Sequence, residues 1–158
     1  MAVLAYSVLG YMFLKRTSKA WEIANICLSI IAVLGVLYVT VFNREYGKPE
    51  IELMPLYSLF DQSIDVEKYR VSLMNVFLFF PLGISMPFAL QNKSKHPLLL
   101  AVCFNFLLSL VIESIQYAFG LGKCEVDDII MNTIGALIGT FAFISSNMAT
   151  KNIKRNSE

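Results

Sequence analysis

The sequence predicts an all-α fold, a polytopic bundle of transmembrane helices with four full spans and one short N-terminal span. Of the 158 residues, 56% are hydrophobic and only 16% are charged, whereas soluble domains average about 45–50% and about 25%. The apolar residues also form long runs, and about 20 helical residues cross a hydrocarbon core of roughly 30 Å. The net charge of +1 gives no sign of a nucleic-acid partner.

The first apolar run, residues 1–14, is the shortest. As a helix it reaches about 21 Å, which is less than the thickness of the hydrocarbon core. Lys15 and Arg16 follow it and can extend to the interface, which helps a short helix to span. We therefore predict a short span, and the alternative is a helix that lies in the membrane interface.

Four longer runs are each long enough to span: residues 21–42, 71–90, 97–119 and 126–143. Trp21 begins the first of them, in the position of an interfacial anchor. Pro81 and Gly83 interrupt the second and predict a kink. Gly135 and Gly139 lie four residues apart in the last run, a spacing of small residues that lets a neighbouring helix approach closely.

The loop at residues 43–70 separates the first two long runs and contains an apolar stretch at 51–60. Ten residues are too few to span. We expect a short helix or re-entrant segment on the outer surface, and the alternative is a plain loop packed over the bundle.

Lysine and arginine predict the orientation, because short cytoplasmic segments are enriched in them. Three regions that alternate along the chain contain eight of the 13 basic residues: Lys15, Arg16, Lys19, Lys93, Lys95, Lys151, Lys154 and Arg155. This places the N-terminus outside and the C-terminus in the cytoplasm. If the first run does not span, the N-terminus moves inside and the rest keeps its orientation. The chain then divides into an extra N-terminal helix and turn (1–20), a membrane domain (21–145) and a basic tail (146–158).

Polar residues inside these runs are the candidate functional residues, since ionisable groups in a membrane are costly. Glu113 lies within the 97–119 run, and Gln116, three residues on, shares its helix face. Asp128 and Asn132 likewise share a face of the last run, while Asn75 lies near the start of the 71–90 run. The topology gathers six polar residues at the outer end of the bundle: Asn75, Glu113, Gln116, Asp127, Asp128 and Asn132.

Structural explanations exist for several of these residues. Asp127 and Asp128 suit the N-cap and first turn of a helix, and Gln116 and Asn132 suit hydrogen bonds between helices. The single histidine, His96, is predicted at the cytoplasmic side, so a Ser–His–Asp or Cys–His site is not assembled here. No cofactor is evident. Glu113 and Asp128 are candidate ligands of Mg²⁺ or Ca²⁺, which prefer oxygen donors, and proton relay is another option.

Several motifs together resemble the VanZ-like family of bacterial membrane proteins over roughly residues 34–143. Family members tend to have an asparagine before a Phe-Pro-x-Gly stretch, a Glu-x-x-Gln pair, an acidic turn followed by Asn and two Gly, and a Leu-x-Pro-Phe-x-Thr loop. The matching residues are Asn75 with Phe80-Pro81-Leu82-Gly83; Glu113 and Gln116; Asp127, Asp128, Asn132, Gly135 and Gly139; and the loop Leu53 to Ser58 with Pro55 and Tyr57. The family usually has Arg shortly before the acidic turn, where this chain has Lys123.

The resemblance implies a multi-pass protein of the bacterial cytoplasmic membrane, linked to resistance against glycopeptide antibiotics and teicoplanin in particular. Together with the polar residues, it favours a non-enzymatic protein with an outward-facing polar pocket. That pocket is expected to recognise a lipid-linked cell-wall intermediate, a lipid headgroup or a lipoglycopeptide. The alternatives are a metal-dependent enzyme acting on a lipid phosphate and a structural partner of another membrane protein or of a second copy.

Overall fold

The computed structural model describes residues 19–44, 46–47, 50–55 and 66–156. In this part the chain forms helix α1 (Lys19–Leu37) with a following π-helical turn (Tyr38–Phe42), strand β1 (Glu50–Glu52), helices α2 (Val66–Leu90) and α3 (Pro97–Phe119), strand β2 (Lys123–Glu125) and helix α4 (Val126–Asn156). Four segments are long and apolar enough to cross a membrane: Lys19–Phe42, Tyr69–Leu90, Pro97–Phe119 and Val126–Met148. The predicted all-α membrane bundle is therefore confirmed. The predicted short span at 1–14 lies outside the described residues.

The helices run alternately up and down, so the bundle has two distinct ends. The π-helical turn, the start of α2, the end of α3 and the start of α4 meet at the end that also contains β1 and β2, which we name the sheet end. The start of α1 and the turn between α2 and α3 meet at the other end. There Lys93 pairs with Glu22 at 3.0 Å, and Lys19 and Lys95 are exposed. We name this the basic end.

Strands β1 and β2 form a small parallel sheet across the sheet end, with Ile51 opposite Cys124. The expectation of a short helix or re-entrant segment is wrong for residues 51 and 52, which belong to β1. Local sequence does not determine this strand, because β1 pairs with β2, more than 70 positions away in the sequence. The Gly47 N–H donates to the Gly120 carbonyl at 2.7 Å and fixes the approach to this pairing.

Helices α2 and α4 approach each other closely through three glycines. A Cβ atom placed on each glycine would lie far inside van der Waals distance of the opposite backbone: Gly83 2.3 Å from Ala136 O, Gly135 2.3 Å from Val76 O, and Gly139 2.4 Å from Phe80 O. Backbones in such contact gain dispersion energy without burying a polar group. Helix α2 continues through Pro81. Gly83 lies at the α2–α4 contact, as its closeness to Ala136 shows.

At the basic end the core is aromatic. The Phe88 ring meets Trp21 edge-on at 5.6 Å and Phe143 at 4.6 Å between ring centroids. Helix α4 runs past the predicted span end at Phe143 and reaches Asn156, so the first part of the predicted basic tail is helical. Basic residues near the C-terminus of a helix complement its dipole, which favours this extension.

Candidate functional site

Three helices bring the six predicted polar residues to the sheet end of the bundle. Each of the six is at most 6% exposed: Asn75 of α2, Glu113 and Gln116 of α3, and Asp127, Asp128 and Asn132 of α4. We name this group the polar cluster. Because its side chains are buried between helices, the cluster is an internal polar site under the β1–β2 sheet rather than an open cleft.

Asp128 is the centre of the direct contacts. Asn75 donates a hydrogen bond from Nδ2 to Asp128 Oδ1 at 2.7 Å, which links α2 to α4. Arg44, just after the π-helical turn, places Nη2 3.6 Å from Asp128 Oδ2. Asp128 also lies in the first turn of α4, where the helix dipole favours a negative charge.

Arg44 is a site residue that the sequence analysis did not single out. Its position in the sequence gives no signal, since it lies 84 residues before Asp128 in a loop. In the sequence, Lys123 is instead the basic residue nearest to the acidic turn. Lys123 pairs with Glu50 at 2.9 Å, and both side chains are more than half exposed. That hydrogen bond, and then the Glu50 charge, raise the pKa of Lys123, which keeps it cationic on the surface of the sheet.

Gly122 makes room for the Arg44 guanidinium. A Cβ atom at position 122 would lie 2.9 Å from Arg44 Nη1. The backbone of Gly122 has φ +114°, a conformation that side-chain-bearing residues rarely adopt. Glycine is thus required here both by the turn and by the neighbouring arginine.

Glu113 is tied to the sheet rather than to another side chain of the cluster. It is 2% exposed, and its Oε2 accepts a hydrogen bond from the Glu125 backbone N–H at 3.1 Å. Because Glu125 is the last residue of β2, this contact joins Glu113, the one carboxylate of α3, to the strand above it.

Amide side chains extend the polar site beyond its carboxylates. Gln116 Nε2 donates to the Thr40 carbonyl at 2.8 Å and so satisfies a carbonyl at the end of the first span, where helical partners are lacking. Asn132 Nδ2 donates to Ser109 Oγ at 2.9 Å. Three side-chain amide oxygens are buried and meet no donor among the described residues: Gln116 Oε1, Asn132 Oδ1 and Asn105 Oδ1. An unpaired buried acceptor costs about 1–3 kcal/mol, so these oxygens favour a partner that donates hydrogen bonds.

The other predicted residues lie away from the cluster. Pro55 is exposed, in the turn that follows β1, and Tyr57 lies outside the described residues. Pro81, Gly83, Gly135 and Gly139 belong to the middle of α2 and α4. Within the described ranges, no group of three His, Cys, Asp or Glu side chains is arranged to hold a metal ion. Glu113 and Asp128 stay predicted candidates for binding a divalent cation as a pair.

The register of the sheet can be tested by a disulfide. Ile51→Cys is expected to cross-link to Cys124, because register partners on adjacent strands lie about 4.8 Å apart and disulfides span about 4.4–6.8 Å between Cα atoms. Cys27 and Cys103 are free and exposed, so both are first replaced by serine. The oxidised protein should migrate as a monomer that maleimide does not label. The same variant with Cys124→Ser should stay labelled, and labelling of both proteins would contradict the register.

The reactivity of the Cys124 thiol should also rise with pH. Burial raises the pKa of the Cys124 thiol, and the negative charges of Glu113, Asp128 and Glu125 raise it further. The attacking species is the thiolate, so at neutral pH little of Cys124 is reactive. In the protein with Cys27 and Cys103 replaced and Ile51 kept, we expect the rate of maleimide labelling of Cys124 to keep rising above the ordinary thiol pKa of about 8.5, measured by quenching the reaction at intervals.

The match to a known protein family covers the whole polar cluster. The VanZ/LLP1 family model matches residues 23–148. The chain is 25% identical over 121 residues to protein VanZ of Enterococcus faecium, an alignment that covers 73% of each chain. No solved structure shows a significant match. Because the family model extends from α1 to the end of the last span, this chain is a multi-pass membrane protein that belongs to the VanZ/LLP1 family.

Proposed function

We propose that this protein acts in glycopeptide resistance, as its family suggests, by binding an amine-bearing or otherwise hydrogen-bond-donating headgroup in the polar cluster. The ligand is a lipid-linked cell-wall intermediate, a lipid headgroup or a lipoglycopeptide. One observation supports this most directly: the cluster combines buried carboxylates with buried amide oxygens that have no donor partner among the described residues. Such a site prefers ligands that bring donors or positive charge.

Each residue has a distinct part in this proposal. Glu113 and Asp128 bind the cationic or donor group, and Asn75, Gln116 and Asn132 orient it by hydrogen bonds. Since the basic residues cluster at the opposite end, the sheet end faces the outside of the cell. A ligand that donates to Glu113 can use Oε1, because a carboxylate accepts at both oxygens and Oε2 already accepts from the Glu125 N–H.

A second candidate function is structural, and the pairing of Asp128 with Asn75 and Arg44 favours it. In that case the cluster fastens α2, α4 and the segment after α1 together for assembly with another membrane protein. The two functions differ in what a charge-neutral replacement does. A binding site loses its ligand, whereas a structural site keeps its fold when the hydrogen-bonding shape is kept.

Glu113→Gln tests the proposed function, because glutamine keeps the size of the side chain and an oxygen that can accept from Glu125. We expect the variant to lose the rise in teicoplanin resistance that the wild-type protein gives a sensitive strain, measured as the minimum inhibitory concentration. Its membrane level and melting temperature should stay near those of the wild type. Glu52→Gln is the matched control, since Glu52 belongs to β1 and lies outside the cluster.

Two outcomes would contradict the proposal. Full resistance with Glu113→Gln would show that the carboxylate is not used, and would leave the structural role as the better interpretation. A wild-type protein that raises resistance in no sensitive strain, despite normal membrane levels, would remove the link to glycopeptides for this chain.

A further inference from the structure

An apolar groove opens between α1, α2 and α3, towards the basic end and away from the polar cluster. Its volume is about 300 Å³, and its walls include Ile26, Ile30 and Val33 of α1, Leu82 and Met86 of α2, and Phe104 of α3. Ser29 also lines it. The Ser29 hydroxyl is already hydrogen-bonded to Ser85 Oγ and to the Asn25 carbonyl, both at 2.8 Å. The groove thus offers its occupant no unpaired polar group from Ser29.

The shape of the groove suits an extended hydrocarbon chain. On α1 its lining residues run from Ile26 to Leu34, which is about 12 Å along the helix axis. A volume of about 300 Å³ over that length describes a narrow apolar channel. A flexible hydrocarbon chain fills such a channel more readily than a helix about 10 Å across does.

The groove also lies where acyl chains are. All of its lining residues belong to the segments that are long and apolar enough to cross a membrane. Leu82 and Ala89 form a buried floor, at 0% and 6% exposure, while Ile30 and Leu34 on the rim are more than half exposed. A hydrocarbon chain laid on this floor meets apolar atoms on three sides.

Positive charge lies at the basic end of the groove. Glu22 is one helical turn before Ile26, and Lys93 comes three residues after Leu90, which also lines the groove. Lys93 Nζ lies 3.0 Å from Glu22 Oε1 and remains 56% exposed, and an ammonium has three donors, of which Glu22 uses one. Lys19 and Lys95 are exposed at the same end. Among these four described side chains, Lys19, Lys93 and Lys95 outnumber Glu22, and their net positive charge attracts a negatively charged headgroup.

From this geometry we propose a second binding site: the groove holds one acyl chain of an anionic phospholipid, whose phosphate lies against the lysines of the basic end. The lipid comes from the leaflet at that end, opposite the polar cluster. This site does not depend on the ligand of the polar cluster, and each can fail without the other.

The test compares two lipids with identical dioleoyl chains, phosphatidylglycerol and phosphatidylcholine, added to the purified protein in detergent. We expect phosphatidylglycerol to raise the melting temperature more than phosphatidylcholine does. Ile30→Trp fills the groove from its rim and should abolish this difference. Ile31→Trp is the matched control, because Ile31 is 64% exposed and is not among the lining residues. It should keep the difference.

Further variants keep the test decisive. Leu34→Trp enters the groove from the same rim and replaces Ile30→Trp if that variant does not fold. A Lys93→Gln, Lys95→Gln double variant should keep binding but lose the preference for phosphatidylglycerol. Equal stabilisation of the wild type by both lipids would overturn the proposal, as would equal behaviour of Ile30→Trp and Ile31→Trp. A change of oligomeric state in Ile30→Trp alone would identify a second copy of this chain as the occupant and also overturn it.

Discussion

Gly135→Leu is expected to destabilise the bundle strongly. The Cβ atom of any residue at this position would lie 2.3 Å from the Val76 carbonyl oxygen and 2.9 Å from Val76 Cα. These are backbone atoms of α2, so relief requires the two helices to separate. Overpacking in cores costs about 1–3 kcal/mol and sometimes more. Because two backbones must be displaced, we expect a cost at the upper end of this range. The total stability of a folded protein is only about 5–15 kcal/mol.

The matched control is Gly35→Leu. A Cβ atom on Gly35 meets no atom of the described residues within 4 Å, and the change also replaces glycine by a better helix former. We expect it to leave the melting temperature of the purified protein unchanged or slightly higher, while Gly135→Leu lowers it strongly or prevents membrane accumulation. Equal melting temperatures of the two variants would mean that α2 and α4 are farther apart than the structure has them.

The three-glycine contact explains why the bundle is easier to predict than its site. The apolar runs are local patterns, and the helix predicted at residues 97–119 has these bounds in the structure. The Gly135 and Gly139 spacing is equally local. Which backbone those glycines meet is a property of two helices about 55 positions apart, and the sequence alone does not choose between α2 and its other neighbours.

The polar cluster shows the same division. Its six residues can be predicted from the sequence, because helix faces and the alternating topology are properties of the individual spans. Arg44 cannot be predicted in this way. Its contact with Asp128 depends on the path of the segment after α1 and on the absence of a side chain at Gly122. The β1–β2 pairing was likewise beyond local patterns, because each strand has only three residues. These non-local contacts close the cluster, and without them the sequence predicted an open pocket.

Asp128→Leu is expected to cost about 1–3 kcal/mol of stability, the second largest effect proposed here. Asn75, 5% exposed, would lose the acceptor of its 2.7 Å hydrogen bond and keep a buried, unpaired amide. Arg44 adds little to this cost, since its side chain is 28% exposed and can turn to water. Chemical unfolding in detergent should therefore show a clear loss for Asp128→Leu and a small one for Arg44→Gln.

A double-mutant cycle isolates the bond itself. Asn75→Leu combined with Asp128→Leu removes both partners, and replacing a buried pair by apolar groups is nearly neutral. The double variant should thus be more stable than the sum of the single losses predicts, by at least the cost of one buried unpaired group, about 1–3 kcal/mol. Strict additivity would contradict the Asn75–Asp128 contact.

Asp128→Asn distinguishes a ligand-binding role of Asp128 from a structural one, because it keeps an acceptor for Asn75 and removes only the charge. If it folds normally but no longer supports resistance, the charge serves a ligand; if it supports resistance fully, Asp128 serves the fold.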